Sequence, residues 1–179
     1  MTQTGIVAEP GQPQIVITRD FRAPRDLLFR AHTDPDLLVQ WLGPRTVRMT
    51  VDRLDARDGG IWRYTHRQPG GETHAFHGVY HGTPSADGIV STYEYERAPG
   101  HVSLNTITFD EHDGTTTLRQ NTVFQSVADR DGYVESGMEE GVRDSMERLD
   151  ELLAAQATAG STTAAGTAAG RISPGDKGE

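Results

Sequence analysis

Residues 129–154 read DRDGYVESGMEEGVRDSMERLDELLA, and their period decides the fold. Met138, Val142, Ser145, Met146, Leu149, Leu152 and Leu153 recur at intervals of three and four. Glu135, Glu139, Glu140, Arg143, Asp144, Glu147, Arg148 and Glu151 take the opposite face. This spacing predicts one long amphipathic helix from about Asp129 to Ala154. Gly137 and Gly141 interrupt its propensity, each costing about 0.5–1 kcal/mol relative to alanine. Two glycines four apart on one face suggest either close backbone packing on a sheet or room for something else.

Upstream of the helix the period changes to two. Val47 to Asp52, Ile61 to His66, Thr73 to His81, Ile89 to Tyr95, Val102 to Phe109 and Thr115 to Phe124 alternate. Gly59-Gly60, Gly70-Gly71, Asp87-Gly88, Pro99-Gly100 and Asp113-Gly114 fall between these runs, as tight antiparallel hairpins require. A further β-branched strand, Gln14 to Phe21, opens the folded part. Two short helices follow it. Pro24 starts the first, and Leu27, Leu28 and Ala31 share its face; Asp34 caps the second and Pro35 begins it. Leu37, Leu38, Trp41 and Leu42 make the second stripe, which Gly43-Pro44 ends.

The order predicts an α+β domain of helix-grip form: a seven-stranded curved antiparallel sheet, two short helices after the first strand and a long C-terminal helix. One helix about 10 Å across must cover the concave face of a twisted sheet. The space left over is either packed solid or kept as a cavity. Its expected lining is Trp41, Trp62, Tyr64, His66, Phe76, Tyr80, Tyr93, Tyr95, Phe109, Phe124, Met138, Val142 and Met146. Inward tyrosine hydroxyls need partners and can orient a ligand.

Composition bounds the rest. Residues 1–13 are polar, with Pro10 and Pro13, and read as a flexible segment. From Ala155 the chain is almost wholly Ala, Gly, Ser and Thr as far as Arg171, and residues 155–179 read as a disordered tail. The domain is then 14–154. There are no cysteines among 179 residues, which removes disulfides and thiolate chemistry and fits a reducing, cytoplasmic setting. A formal charge of −9, with basic residues scattered singly, argues against nucleic acid as a partner. No apolar run approaches the roughly 20 residues that cross a bilayer. The expected partner is a small hydrophobic molecule, bound by a monomer or weak homodimer.

Four segments carry a family resemblance. Trp41-Leu42-Gly43-Pro44, Gly59-Gly60-Ile61-Trp62-Arg63, Phe76-His77-Gly78-Val79-Tyr80 and Gly137-Met138-Glu139-Glu140-Gly141 occur in that order. Together they resemble the START-like or Bet v 1-like (SRPBCC) superfamily, in its branch named for the C-terminal domain of the activator of the Hsp90 ATPase. The resemblance covers about residues 14–154. It implies a cavity between sheet and long helix that takes lipids, polyketides or other apolar molecules, mostly without catalysis. Some actinobacterial relatives sequester a reactive antibiotic as self-resistance. The first motif often has two adjacent tryptophans; here Gln40 precedes Trp41.

No catalytic set accompanies these motifs. There is no nucleophile elbow, phosphate loop, dinucleotide fingerprint or His-Glu-x-x-His, so neither a cofactor nor a metal is expected. His74 falls on the strand face opposite His77 and His81, against a shared metal, and the latter two read as surface histidines. His66 continues the face of Trp62 and Tyr64 and is the best inward polar group. The alternative functions are a polyketide cyclase or dehydratase using His66 or a cavity tyrosine, and a module that stimulates a chaperone ATPase.

Overall fold

The computed structural model describes residues 3–168. Its elements are β1 (Gly5–Val7), β2 (Gln14–Phe21), α1 (Arg25–Thr33), α2 (Pro35–Trp41), β3 (Arg48–Leu54), β4 (Ile61–Arg67), β5 (Thr73–Val79), β6 (Gly88–Tyr95), β7 (Val102–His112), β8 (Thr115–Val123), α3 (Val127–Glu135) and α4 (Met138–Ala168). All strands join one antiparallel sheet in the order β1-β2-β8-β7-β6-β5-β4-β3. The α+β helix-grip reading is correct, and the hairpin glycines mark the turns.

The sheet has eight strands, not seven. The extra one is β1, inside the segment read as flexible; Gly5 to Val7 pair with Thr18 to Val16. Its three residues are too short for an alternation signal. The neighbouring Thr4 is tied down by the long helix, since Arg143 donates to its carbonyl at 2.7 Å.

The single long helix is in fact two. Ser126 caps α3 by accepting from the Asp129 amide at 3.0 Å. Gly137, at φ 81°, then ends that helix in the left-handed conformation that glycine adopts without penalty, and α4 begins at Met138. The chain remains helical through Ala168, beyond the point at Ala155 where the composition predicts a disordered tail. Residues 169–179 of that tail lie outside the described residues.

The core lies between α4 and the concave face of the sheet. Met138, Met146, Leu149, Leu152 and Leu153 are buried from the helix side. Ile15, Ile17, Phe21, Trp62, Tyr64, Ile89, Phe109 and Leu118 meet them from the sheet, and Leu28, Ala31, Leu37, Leu38 and Trp41 close one end. Among the described residues no helix is long and apolar enough to cross a membrane.

Candidate functional site: a cavity under the long helix

The layers do not meet everywhere. Between them is a cavity of about 860 Å³, in the size range of small-molecule sites. Twelve of the thirteen residues expected from sequence are on its wall; Phe109 is not. Phe109 is 3 % exposed and packs beneath His32, ring centroids 5.3 Å apart, under α1 rather than at the opening.

The wall between β4 and β6 is aromatic. Cross-strand register sets Tyr64 opposite Phe76 and Phe76 opposite Tyr95. Trp62 stacks on Tyr64 at 5.2 Å, and Phe76 stacks on Tyr93 at 5.5 Å and on Tyr95 at 5.1 Å. Gly78 makes this possible. It pairs with Trp62, and a Cβ there would lie 2.7 Å from the indole and 1.9 Å from the Thr92 carbonyl oxygen. The Phe-x-Gly-x-Tyr motif is therefore a slot for the Trp62 ring.

Three hydroxyls on this wall are kept neutral by burial. Tyr64 and Tyr93 hydrogen-bond each other, and burial pushes both well above the ordinary tyrosine range. Tyr80 is pushed up to about 12 by burial alone. His66, as expected, faces inward. Burial first, then the nearby His74 and Arg148, push it down to about 4, against a hydrogen bond to the Leu42 backbone. It is an uncharged imidazole at neutral pH.

The loop after α2 forms the rim. Gly43 has φ 102°, and a Cβ there would strike the His66 ring at 2.8 Å, so the Trp-Leu-Gly-Pro motif needs glycine twice over. The loop is fastened to α4. Gly43 N donates to Ser145 Oγ at 3.0 Å, and Arg148 donates to the carbonyls of Gly43 at 2.6 Å and Gln40 at 2.7 Å. Arg45 pairs with Asp144 at 2.9 Å and also with Glu151. Gly141 lies under the same loop, where its Cβ position is 4.0 Å from Pro44, an ordinary contact. Trp41 is anchored by Nε1 donating to the Ala31 carbonyl at 2.9 Å.

Several wall residues escape the sequence reading. Tyr133 enters from α3, packs on Phe124 at 5.4 Å and is pushed up by burial. His32 packs on Trp41 at 4.7 Å, with Nδ1 donating to the Leu28 carbonyl at 2.7 Å, and burial holds it at about 4. His74 lies beside the Tyr95 hydroxyl, Nδ1 to Oη 2.6 Å. Its position one residue pair before Phe76 on the same face is a signal that alternation does supply. Ser91, Ser103, Asn105, Gln120 and Thr122 line the β6–β8 side, where nothing in their residue type separates inward from outward. His77 lies on the other face, 3.1 Å from Glu94, and His81 is exposed. Among the described residues no group of three or more His, Asp or Glu is placed to hold a metal ion.

The family model for "Activator of Hsp90 ATPase homolog 1-like protein" matches residues 22–154. The chain belongs to that family. Solved structures of the Hsp90-activator-like fold agree. A Rhodobacter sphaeroides protein is 26 % identical, with 86 % of this chain and 99 % of that one covered at a TM-score of 0.78. A Mycobacterium smegmatis protein is 25 % identical, covering 86 % and 97 % at 0.76. An AHSA1 protein from Silicibacter pomeroyi, 21 % identical, shares the fold, covering 80 % and 99 % at 0.66. A search of curated protein sequences finds no match. The SRPBCC fold to which this Hsp90-activator-like family belongs commonly binds hydrophobic ligands.

Proposed function

We propose that the protein holds a small, largely apolar molecule in the cavity between the sheet and α4, by enclosure rather than by turnover. The observation that carries this reading is the cavity itself: about 860 Å³ walled by stacked aromatic rings, with Tyr64, Tyr80, Tyr93 and His66 held uncharged by burial. An aromatic wall whose buried hydroxyls and imidazole are neutral favours a ligand that loses little hydration on entering. Enclosure without turnover is what sequestration of a toxic natural product requires, and self-resistance is the biological use that fits it. An amide-correlation NMR titration with fluorene tests the binding. Shifts should concentrate around Trp62, Tyr93 and Met138; shifts confined to the outer surface would reject the reading.

One observation favours a second reading, proton-transfer chemistry on an oxygenated apolar substrate. The His74–Tyr95 contact of 2.6 Å joins a base to a hydroxyl at the cavity wall. Cyclisation or dehydration assays on polyketide substrates separate the two readings. Activity that falls to background in Tyr95→Phe would establish the enzyme.

A further inference from the structure

The β7–β8 side of the cavity carries a hydrogen-bond chain of its own. Gln120 Nε2 donates to Thr122 Oγ1 at 3.2 Å, and Thr122 Oγ1 donates to Asn105 Oδ1 at 2.7 Å. Asn105 and Thr122 are direct cross-strand partners, and Gln120 sits two residues away on the same face of β8. Apolar Ile15, Ile17 and Ile107 surround the three and share the cavity wall with them. Thr122 is the hinge of the chain, at 6 % exposure.

The chain has a direction. A hydroxyl carries one proton, and that of Thr122 goes to Asn105, so Thr122 can only accept from Gln120. Both amides are thereby oriented. Asn105 keeps its carbonyl in the chain and Gln120 keeps one N–H there. Left without a protein partner among the described residues are the Asn105 amide group, a donor, and Gln120 Oε1, an acceptor. Both residues are on the cavity wall, on adjacent strands. A donor and an acceptor fixed at neighbouring points of a wall, here among three isoleucines with Ser91 across from Asn105, are how a binding site sets ligand orientation.

We propose that Asn105 and Gln120 form a polar subsite selecting uncharged apolar molecules that carry a carbonyl and a hydroxyl on one skeleton. The carbonyl accepts from Asn105 Nδ2, and the hydroxyl donates to Gln120 Oε1. Thr122 is a positioning residue that holds both amides in this sense. The inference rests on the cavity being an apolar ligand site, and adds which apolar molecules it prefers. Neither amide carries a charge that would offset the desolvation of an ionised ligand, so the subsite favours neutral ones.

The test compares fluorene with 2-hydroxy-9-fluorenone, a pair of the same shape, by quenching of tryptophan fluorescence in the full chain. The wild type should bind the hydroxyketone about tenfold more tightly, a factor within the range that two net hydrogen bonds supply. Asn105→Leu combined with Gln120→Leu should lose that preference, the hydroxyketone losing about tenfold more affinity than fluorene. Thr122→Val, which removes only the hinge, should reduce the preference about threefold. Should the double variant fail to fold, Thr122→Val carries the same comparison. Equal losses for both probes would mean that the chain is merely structural and would overturn the proposal. Fluorene binding with no preference in the wild type would overturn the subsite alone. No binding of either probe would overturn the cavity reading, and the subsite with it.

Discussion

The two halves of the concave face are built on different rules. Between β4 and β6 the wall is stacked rings: Trp62 on Tyr64, and Phe76 on Tyr93 and Tyr95. Between β7, β8 and β2 it is isoleucine around a hydrogen-bonded row of Gln120, Thr122 and Asn105. The aromatic half gains its order from shape, because flat rings fit only where Gly78 lets the indole of Trp62 lie against the backbone. The amide half gains its order from hydrogen-bond direction. For the ligand proposed above, one half would offer flat apolar surface and the other a fixed donor and acceptor.

The largest expected effect breaks the aromatic half. Gly78→Ala forces a methyl to within 1.9 Å of a backbone oxygen, so it should destabilise the protein by about 3 kcal/mol in urea unfolding. A loss below about 1 kcal/mol would show that the rings do not depend on the slot.

Acid should weaken the aromatic half through His66 and the packing under α1 through His32. His32, against Phe109, and His66, beside Tyr64 and Phe76, are both held at about 4, below the ordinary 6.5. The unfolded chain therefore binds a proton at each site that the fold refuses. That stability is fully present above pH 6.5 and is lost as pH falls toward 4. For fully buried His32 the loss by pH 5 is on the order of 2 kcal/mol, and His66, partly exposed, adds less. His66→Phe should flatten its share of the pH slope in thermal melts; an unchanged slope would mean that His66 is solvated.

Smaller effects sharpen the contrast. Thr122→Val should cost about 1 kcal/mol by urea unfolding, because both oriented amides lose a partner on one side of the cavity only. Gly141→Ala, with 4.0 Å of room before Pro44, should stabilise α4 by about 0.5–1 kcal/mol and raise the melting temperature.

The aromatic half was legible in the sequence because large rings alternate with polar residues on β4 and β5, and hairpin glycines fix the register. The amide half was not. On β7 and β8 the alternation is blurred: Leu104 and Val123 are exposed, while Ser103, Thr116 and Thr122 are buried. Hydrophobic patterning cannot show a polar residue that earns burial through a cross-strand partner, and that partner is known only once the strands are paired. Gly137 was visible as a weak point in a helix, but a φ of 81° turns the weak point into a terminator that directs Tyr133 at the cavity from a separate helix. β1 escaped because three residues carry no period at all.

The central claim is that an apolar molecule occupies the space beneath α4, and filling that space tests it most directly. Val142, on the cavity wall, should accept Trp with the fold intact, because the indole would take ligand volume rather than core volume. Fluorene affinity measured by calorimetry should fall at least about tenfold in Val142→Trp, with the melting temperature within a few degrees of wild type. Unchanged affinity in a folded Val142→Trp variant would contradict the account.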